Sequence, residues 1–163
     1  MVPDLSTSQR GAAAEAEIAA AAIRADLVVL RPLCDGGRYD LVIDVGEKLL
    51  RVQCKWASRQ GNVLTARCLT SRHTPRGDLR TTYSAEEIDA IAVYAPDTDR
   101  CYLLPIGEVE GMAMISLRLA PTGNNQALNV RWARDYELTT SLARNWGLVR
   151  KDPSPMESRL RAR

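Results

Sequence analysis

The run Arg38-Tyr39-Asp40-Leu41-Val42-Ile43-Asp44, followed at short range by Val52-Gln53-Cys54-Lys55, constrains this chain more than any other feature. Each half reads as a strand of alternating or continuous apolar residues, interrupted by charges that a core strand normally excludes. A short turn through Val45 and Gly46 lays the two strands antiparallel and brings Asp40 and Lys55 to one end of a hairpin. The period of two then sorts the second strand, with Gln53 and Lys55 on one face and Val52 and Cys54 on the other. A polar pair on one face of a central strand needs partners, and Asp40 across the hairpin supplies them. Asp44 shares the face of Asp40, but its place beside Val45-Gly46 makes it a turn residue.

A carboxylate beside an ammonium, with an amide two residues earlier on the same face, suits a divalent-metal site that cuts phosphodiesters. The carboxylate holds the ion, and the amine orients or deprotonates the attacking water and balances charge on the phosphorane. Ordinary roles exist for the same residues: Asp40 as a turn-capping aspartate, and Lys55 as an edge-strand lysine that blunts aggregation.

The rest of the chain supplies a scaffold for that hairpin. Alanine richness predicts a helix from Gly11 to about Ala25, with Ser6 or Ser8 as N-cap. Glu15, Ile18 and Ala22 fall on one helical stripe, so Glu15 is the fourth residue to converge with Asp40, Gln53 and Lys55. Leu27–Leu30 is a short strand stopped by Pro32 and the Asp35-Gly36-Gly37 turn. The hairpin of 39–44 and 48–57 follows, and Gly61-Asn62 turns the chain into a strand near 63–70. Residues 71–82 are expected to form an exposed loop, and Ser84-Ala85-Glu86-Glu87 a capping-box start of a short helix that includes Ile88. A second hairpin pairs 91–94 with 101–104 across Pro96–Asp99. Beyond it come a helix or loop at 106–113, a strand at 115–119, a turn at 121–125 and a helix at 137–146. This order indicates an α/β (α+β) fold with a mixed central β-sheet flanked by helices.

With 163 residues there is material for one domain. A flexible lead is expected at 1–10, the folded domain at 11–147 and a basic tail at 148–163. The net charge of +2 makes no global demand for a polyanionic partner, but basic residues cluster locally. Arg72, His73, Arg76 and Arg80 face the single acid Asp78 within 71–82, and Arg150, Lys151, Arg159, Arg161 and Arg163 dominate the tail. A basic loop after a sheet strand can grip phosphates or read guanine edges, while a solvated charged face is the plain alternative. The four cysteines are widely spaced beside a single histidine, which argues against a structural zinc site and for reduced thiols, buried at Cys54 and Cys68. Trp56, Trp132 and Trp146 read as core or oligomer anchors. No stretch approaches the length of a membrane span, and the N-terminus lacks the order of a secretory signal. The chain is therefore expected inside the cell, cytoplasmic and without a membrane partner.

The chain resembles the PD-(D/E)XK nuclease superfamily, and within it the branch of group I intron homing endonucleases and similar stand-alone endonucleases. The resemblance is carried by Gly11-Ala12-Ala13-Ala14-Glu15, Arg31-Pro32, Arg38–Asp44 and Arg51-Val52-Gln53-Cys54-Lys55. Tyr94-Ala95-Pro96, Tyr102–Pro105, Leu117-Arg118-Leu119 and Asn125-Gln126 extend it, so that it covers roughly 11–136. It implies a restriction-endonuclease-like core in which Asp40 binds the metal, Glu15 completes or supports the metal site and Lys55 is the catalytic lysine. Gln53 stands where Asp or Glu is usual, and its uncharged oxygen ligates a hard cation more weakly. The resemblance implies Mg²⁺, with Mn²⁺ able to substitute, and double-stranded DNA as substrate. DNA contacts are expected from Arg38, Arg72, His73, Arg76 and Arg80, in a nucleoid-associated setting. Cutting both strands takes two active sites, so a homodimer or homotetramer follows. The alternatives are a Holliday-junction or other structure-specific resolvase, and a non-catalytic DNA-binding protein on the same fold.

Overall fold

The computed structural model describes residues 4–123 and 128–148. The first helix, α1, runs Thr7–Arg24, four residues earlier than propensity suggests. Ser6 is its N-cap: its hydroxyl accepts from the Gln9 N–H, and the Gln9 side chain accepts from the Ser6 N–H, a reciprocal box that starts the helix before Gly11. The expected lead thus yields to helix at Thr7. Ala14, Ile18 and Ala22 recur every four residues and are fully buried, which fixes the helix on the sheet through one narrow stripe.

Strands β1 (Val28–Leu30), β2 (Leu41–Asp44) and β3 (Leu49–Trp56) follow. β2 and β3 form the expected antiparallel hairpin, with Leu41 opposite Val52 and Asp44 opposite Leu49. The turn between them holds Asp44 as read from the sequence, its Oδ1 accepting from the Gly46 N–H at 2.8 Å. Gly46 has a φ of 94°, a conformation that disfavours a side chain. Two strands then form a hairpin around Gly61-Asn62: β4 (Ser58–Gln60), which polar composition conceals, and β5 (Val63–Arg67).

The segment expected as a loop is instead an antiparallel hairpin, β6 (Thr70–Thr74) and β7 (Gly77–Thr81). Its strands lack apolar alternation because β7 is exposed throughout, so no core face writes a pattern into it. Ser84–Glu87 makes one hydrogen-bonded turn rather than a helix, with Ile88 N–H returning to Ser84 O at 3.2 Å. The turn stops because Asp89 and Ala90 are drawn into the sheet, Asp89 N–H bonding Arg51 O at 2.8 Å.

β8 (Ala90–Ala95) and β9 (Arg100–Pro105) form the second expected hairpin. The short α2 (Ile106–Val109), β10 (Met114–Arg118), a 3-10 turn at Ala133–Tyr136 and α3 (Leu138–Trp146) complete the described chain. Gly147, at a φ of 65°, closes α3 in the left-handed conformation typical of a helix end. Asn125 and Gln126, two residues of the resemblance, and the basic tail from Arg150 onward lie outside the described residues.

The central sheet has the order β1-β2-β3-β8-β9 and is mixed, because β3 and β8 run parallel while the other pairs are antiparallel. One face, with Leu41, Ile43, Leu50, Val52 and Cys54, packs on α1 and α3. The other face carries Ile91, Val93, Tyr102 and Leu104 and is covered by a three-stranded sheet, β10-β5-β4, through Leu64, Ala66, Ile115 and Leu117. The parallel β3–β8 step places Gln53 beside Ile91 and Lys55 beside Val93, in the middle of the sheet. Lys55 is therefore not an edge-strand lysine. Cys54 and Cys68 are buried free thiols, as expected. Trp56 and Trp146 pack against the α1-side core, Trp56 meeting Tyr94 edge to face with ring centroids 5.6 Å apart. No described helix is long and apolar enough to cross a membrane.

Candidate active site

The hairpin delivers its polar residues as its alternation demands. Val52 and Cys54 enter the α1-side core, which leaves Gln53 and Lys55 on the opposite face of β3. Asp40 stands one residue before β2, its backbone N–H bonded to Val52 O at 3.0 Å, and so lies across from Gln53. Its Oδ2 accepts from the Cys54 N–H at 2.8 Å and from Gln53 Nε2. Gln53 is one of two buried polar side chains among the described residues, only 7 % exposed. Burying an amide is tolerable because Asp40 and the Cys54 carbonyl accept its protons.

Glu15 enters from the middle of α1, where its Oε2 accepts from Arg31 Nη2 at 2.9 Å. Burial raises the Glu15 carboxyl pKa, and the neighbouring Asp40 charge raises it further, against the pull of Arg31. Burial likewise raises Asp40, although the Cys54 N–H, Lys55 and Arg31 oppose the shift. Lys55 is displaced the other way, its ammonium disfavoured first by burial. The site thus holds two carboxyls and one amine whose charged forms are all costly as they stand. Its Nζ donates to Tyr83 OH at 2.9 Å.

Such a site fits a hard cation. Two carboxylates in one another's field, with an amide oxygen available by rotation of the Gln53 terminal group, form an oxygen donor set suited to Mg²⁺, which uses one or two carboxylates and keeps several waters. Among the described residues, no group of three or more His, Cys, Asp and Glu side chains is placed to hold a metal ion. The charged donors here are thus at most the two carboxylates, with the Gln53 oxygen as a neutral third.

The residues expected to touch DNA fall into two groups. Arg38 is committed inward: its guanidinium donates to Thr70 Oγ1 at 2.7 Å, Thr82 O at 2.7 Å and Glu87 Oε2 at 2.8 Å. It also stacks on the Tyr83 ring, 4.7 Å from the centroid, while its buried Nε has no partner. This geometry makes Arg38 a brace for the base of the β6–β7 hairpin. Arg76 and Arg80 are exposed on that hairpin, which carries them into solvent. Arg72 and His73 belong to β6, but their side chains lie outside the described residues.

Two contributors were not singled out by sequence reasoning. Arg31 was legible only as part of the Arg31-Pro32 match, and its ion pair with Glu15 joins positions 16 apart in the chain. Tyr83 carried a fainter signal, a lone aromatic closing the polar stretch 70–82, and it is 2 % exposed between Arg38 and Lys55.

The fold is similar to the solved structure of a bacterial homing endonuclease, with a TM-score of 0.69 and 24% sequence identity, covering 91% of this chain and 100% of that one. No curated protein matches the chain. Residues 5–139, which include Glu15, Asp40, Gln53 and Lys55, match the PD-(D/E)XK endonuclease family, and the chain belongs to that family.

Proposed function

We propose that this nuclease is a Mg²⁺-dependent, homing-endonuclease-like enzyme that hydrolyses phosphodiester bonds in double-stranded DNA. The observation that carries the reading is the contact of Gln53 and the Cys54 N–H with the buried Asp40 carboxyl, with Lys55 and Glu15 in its electrostatic field. Asp40, Glu15 and the Gln53 amide oxygen are the residues that would hold Mg²⁺, with Mn²⁺ as a substitute. Once bound, the ion supplies Lewis acidity toward a phosphoryl oxygen and lowers the pKa of water. Lys55 holds its amine at the scissile phosphate, where it orients the attacking water, takes part in its deprotonation and offsets developing negative charge. Burial lowers the Lys55 pKa, which suits a group that exchanges a proton. Arg76 and Arg80, together with Arg72 and His73 of the same hairpin, grip the DNA backbone.

Two cuts require two sites, so the working form is a homodimer or homotetramer acting on intracellular, nucleoid-associated DNA. The catalytic unit is 11–147 extended to the helix start at Thr7, and the basic tail 148–163 adds backbone affinity.

The test is nicking of supercoiled plasmid in Mg²⁺. Lys55→Ala abolishes it while the melting temperature stays at the wild-type value; undiminished cutting by that variant refutes the catalytic assignment. Linear duplex and four-way junction DNA, offered in parallel, separate an endonuclease from a junction resolvase.

A second reading is a DNA-binding protein that has lost catalysis. It is favoured by one observation, that uncharged Gln53 stands at this position and no group of three or more His, Cys, Asp and Glu side chains is placed to hold a metal among the described residues. Calorimetric titration with Mg²⁺ decides: heat of binding that Asp40→Asn removes supports the enzyme, and no heat with or without DNA supports the binding protein.

A further inference from the structure

We propose that Tyr83 is a positioning residue for Lys55, holding the amine through its hydroxyl while Arg38 clamps its ring. The inference rests on the nuclease reading for the role of Lys55 and extends it to a residue in a different part of the chain.

A lysine carries four rotatable bonds, so its amine is placed only if something fixes the far end. No carboxylate makes an ion pair with Lys55 among the described residues; its hydrogen bond there is to the Tyr83 hydroxyl, at 2.9 Å. The amine also lies over the same ring, 5.0 Å from its centroid, so hydroxyl and ring face meet it together. Tyr83 can serve as a fixed post because it is itself immobile. It is 2 % exposed, it packs in the core under the β10-β5-β4 sheet, and Arg38 lies over its ring at 4.7 Å. Arg38 is in turn pinned by Thr70 of β6, by Thr81 of β7 at 3.4 Å, and by Thr82 and Glu87 beyond the hairpin. A carboxylate in place of the tyrosine would hold the amine more tightly but would neutralise the charge that offsets a phosphorane. A neutral acceptor fixes the amine and leaves its charge for the substrate.

The test is Tyr83→Phe, which deletes one oxygen and keeps the ring for Arg38. Steady-state nicking of supercoiled plasmid in Mg²⁺ is expected to lose roughly tenfold to a hundredfold in kcat, the scale of a small misplacement of a catalytic group, at unchanged KM for DNA. Melting temperature stays unchanged. Acylation of Lys55, followed by mass spectrometry with exposed Lys48 as internal control, speeds up several-fold. A kcat equal to wild type overturns the inference, as does a kcat loss that arrives with raised KM and a lowered melting temperature, the mark of a merely structural tyrosine. If the wild-type protein nicks no DNA, the nuclease reading fails. Faster acylation of Lys55 in the variant then still upholds the positioning contact, and unchanged acylation overturns that too.

Discussion

One strand, β3, carries two charged neighbourhoods that are built on opposite principles. At its upstream end, Arg51 and Lys48 enclose Asp89. The carboxylate accepts from Arg51 Nε at 3.0 Å and from the Arg51 N–H at 2.9 Å, with Lys48 Nζ 2.9 Å away. The remaining Arg51 donors go to the carbonyls of Glu86 at 2.6 Å and Ala85 at 3.2 Å. Burial opposes the Asp89 charge, yet the hydrogen bonds from Arg51 and Lys48 win and bring its pKa down to about 2. Two to four residues further along, Asp40 and Glu15 have pKa values shifted up by burial and Lys55 has one shifted down. The first neighbourhood satisfies its charges and spends them on holding the strand. In the second, burial outweighs the partners that are present, the Arg31 pair with Glu15 included, so each charged form is disfavoured, a pattern that clusters at functional sites.

The contrast breaks most easily at Asp40. Asp40→Asn is expected to cost about a thousandfold or more in nicking rate, the scale of losing a metal's Lewis acidity, without lowering the melting temperature. A destabilised Asp40→Asn protein would place Asp40 among the structural charges instead. Asp89→Ala should do the reverse. It strips Arg51 of a partner and lowers unfolding free energy by about 2 kcal/mol in urea titration, while the kcat of the folded fraction is retained.

The pH dependence of stability sharpens the same comparison. For Asp89 the folded pKa is depressed, so its contribution is present above the ordinary value of 3.8 and is lost as pH falls through about 2. Asp89→Asn should flatten that acid loss. For Asp40 and Glu15 the folded pKa is raised, so the folded state binds more protons than the unfolded one. Their contribution then turns against folding as pH rises past the ordinary values of 3.8 and 4.5. Urea midpoints measured across that range should decline less in Asp40→Asn, and added Mg²⁺ should raise the wild-type midpoint above it by binding only the folded protein. The smallest effect belongs to Glu15→Gln. It loosens a pair whose Arg31 side is largely exposed, so stability should shift by less than about 1 kcal/mol, and nicking should fall less than in Asp40→Asn.

The parts of the fold that sequence made legible are those where at least one face is dry. β2 alternates buried and half-buried residues, while β8 and β9 are continuous apolar runs between turn signals, and both patterns mark strands. The β6–β7 hairpin was read as a loop because its register rests on backbone bonds and threonine hydroxyls, which leave no apolar rhythm. Ser84–Glu87 shows a different failure. Its cap is present, with the Glu87 carboxylate accepting from the Ser84 N–H at 3.3 Å, but sheet pairing at Asp89 overrides the local propensity for helix. At the site, Asp40, Gln53 and Lys55 could be placed because they share one hairpin, where spacing translates directly into geometry. Tyr83 could not, since 28 residues separate it from Lys55 and only the folded chain brings them into contact.

The alternation of β3 ties accuracy of folding to the proposed site. Sliding that strand by a single position would send Gln53 and Lys55 into the greasy layer beneath α1 and turn Val52 and Cys54 to the face those two now occupy. A molecule wound up wrongly at this point would therefore lose the proposed site together with its stability.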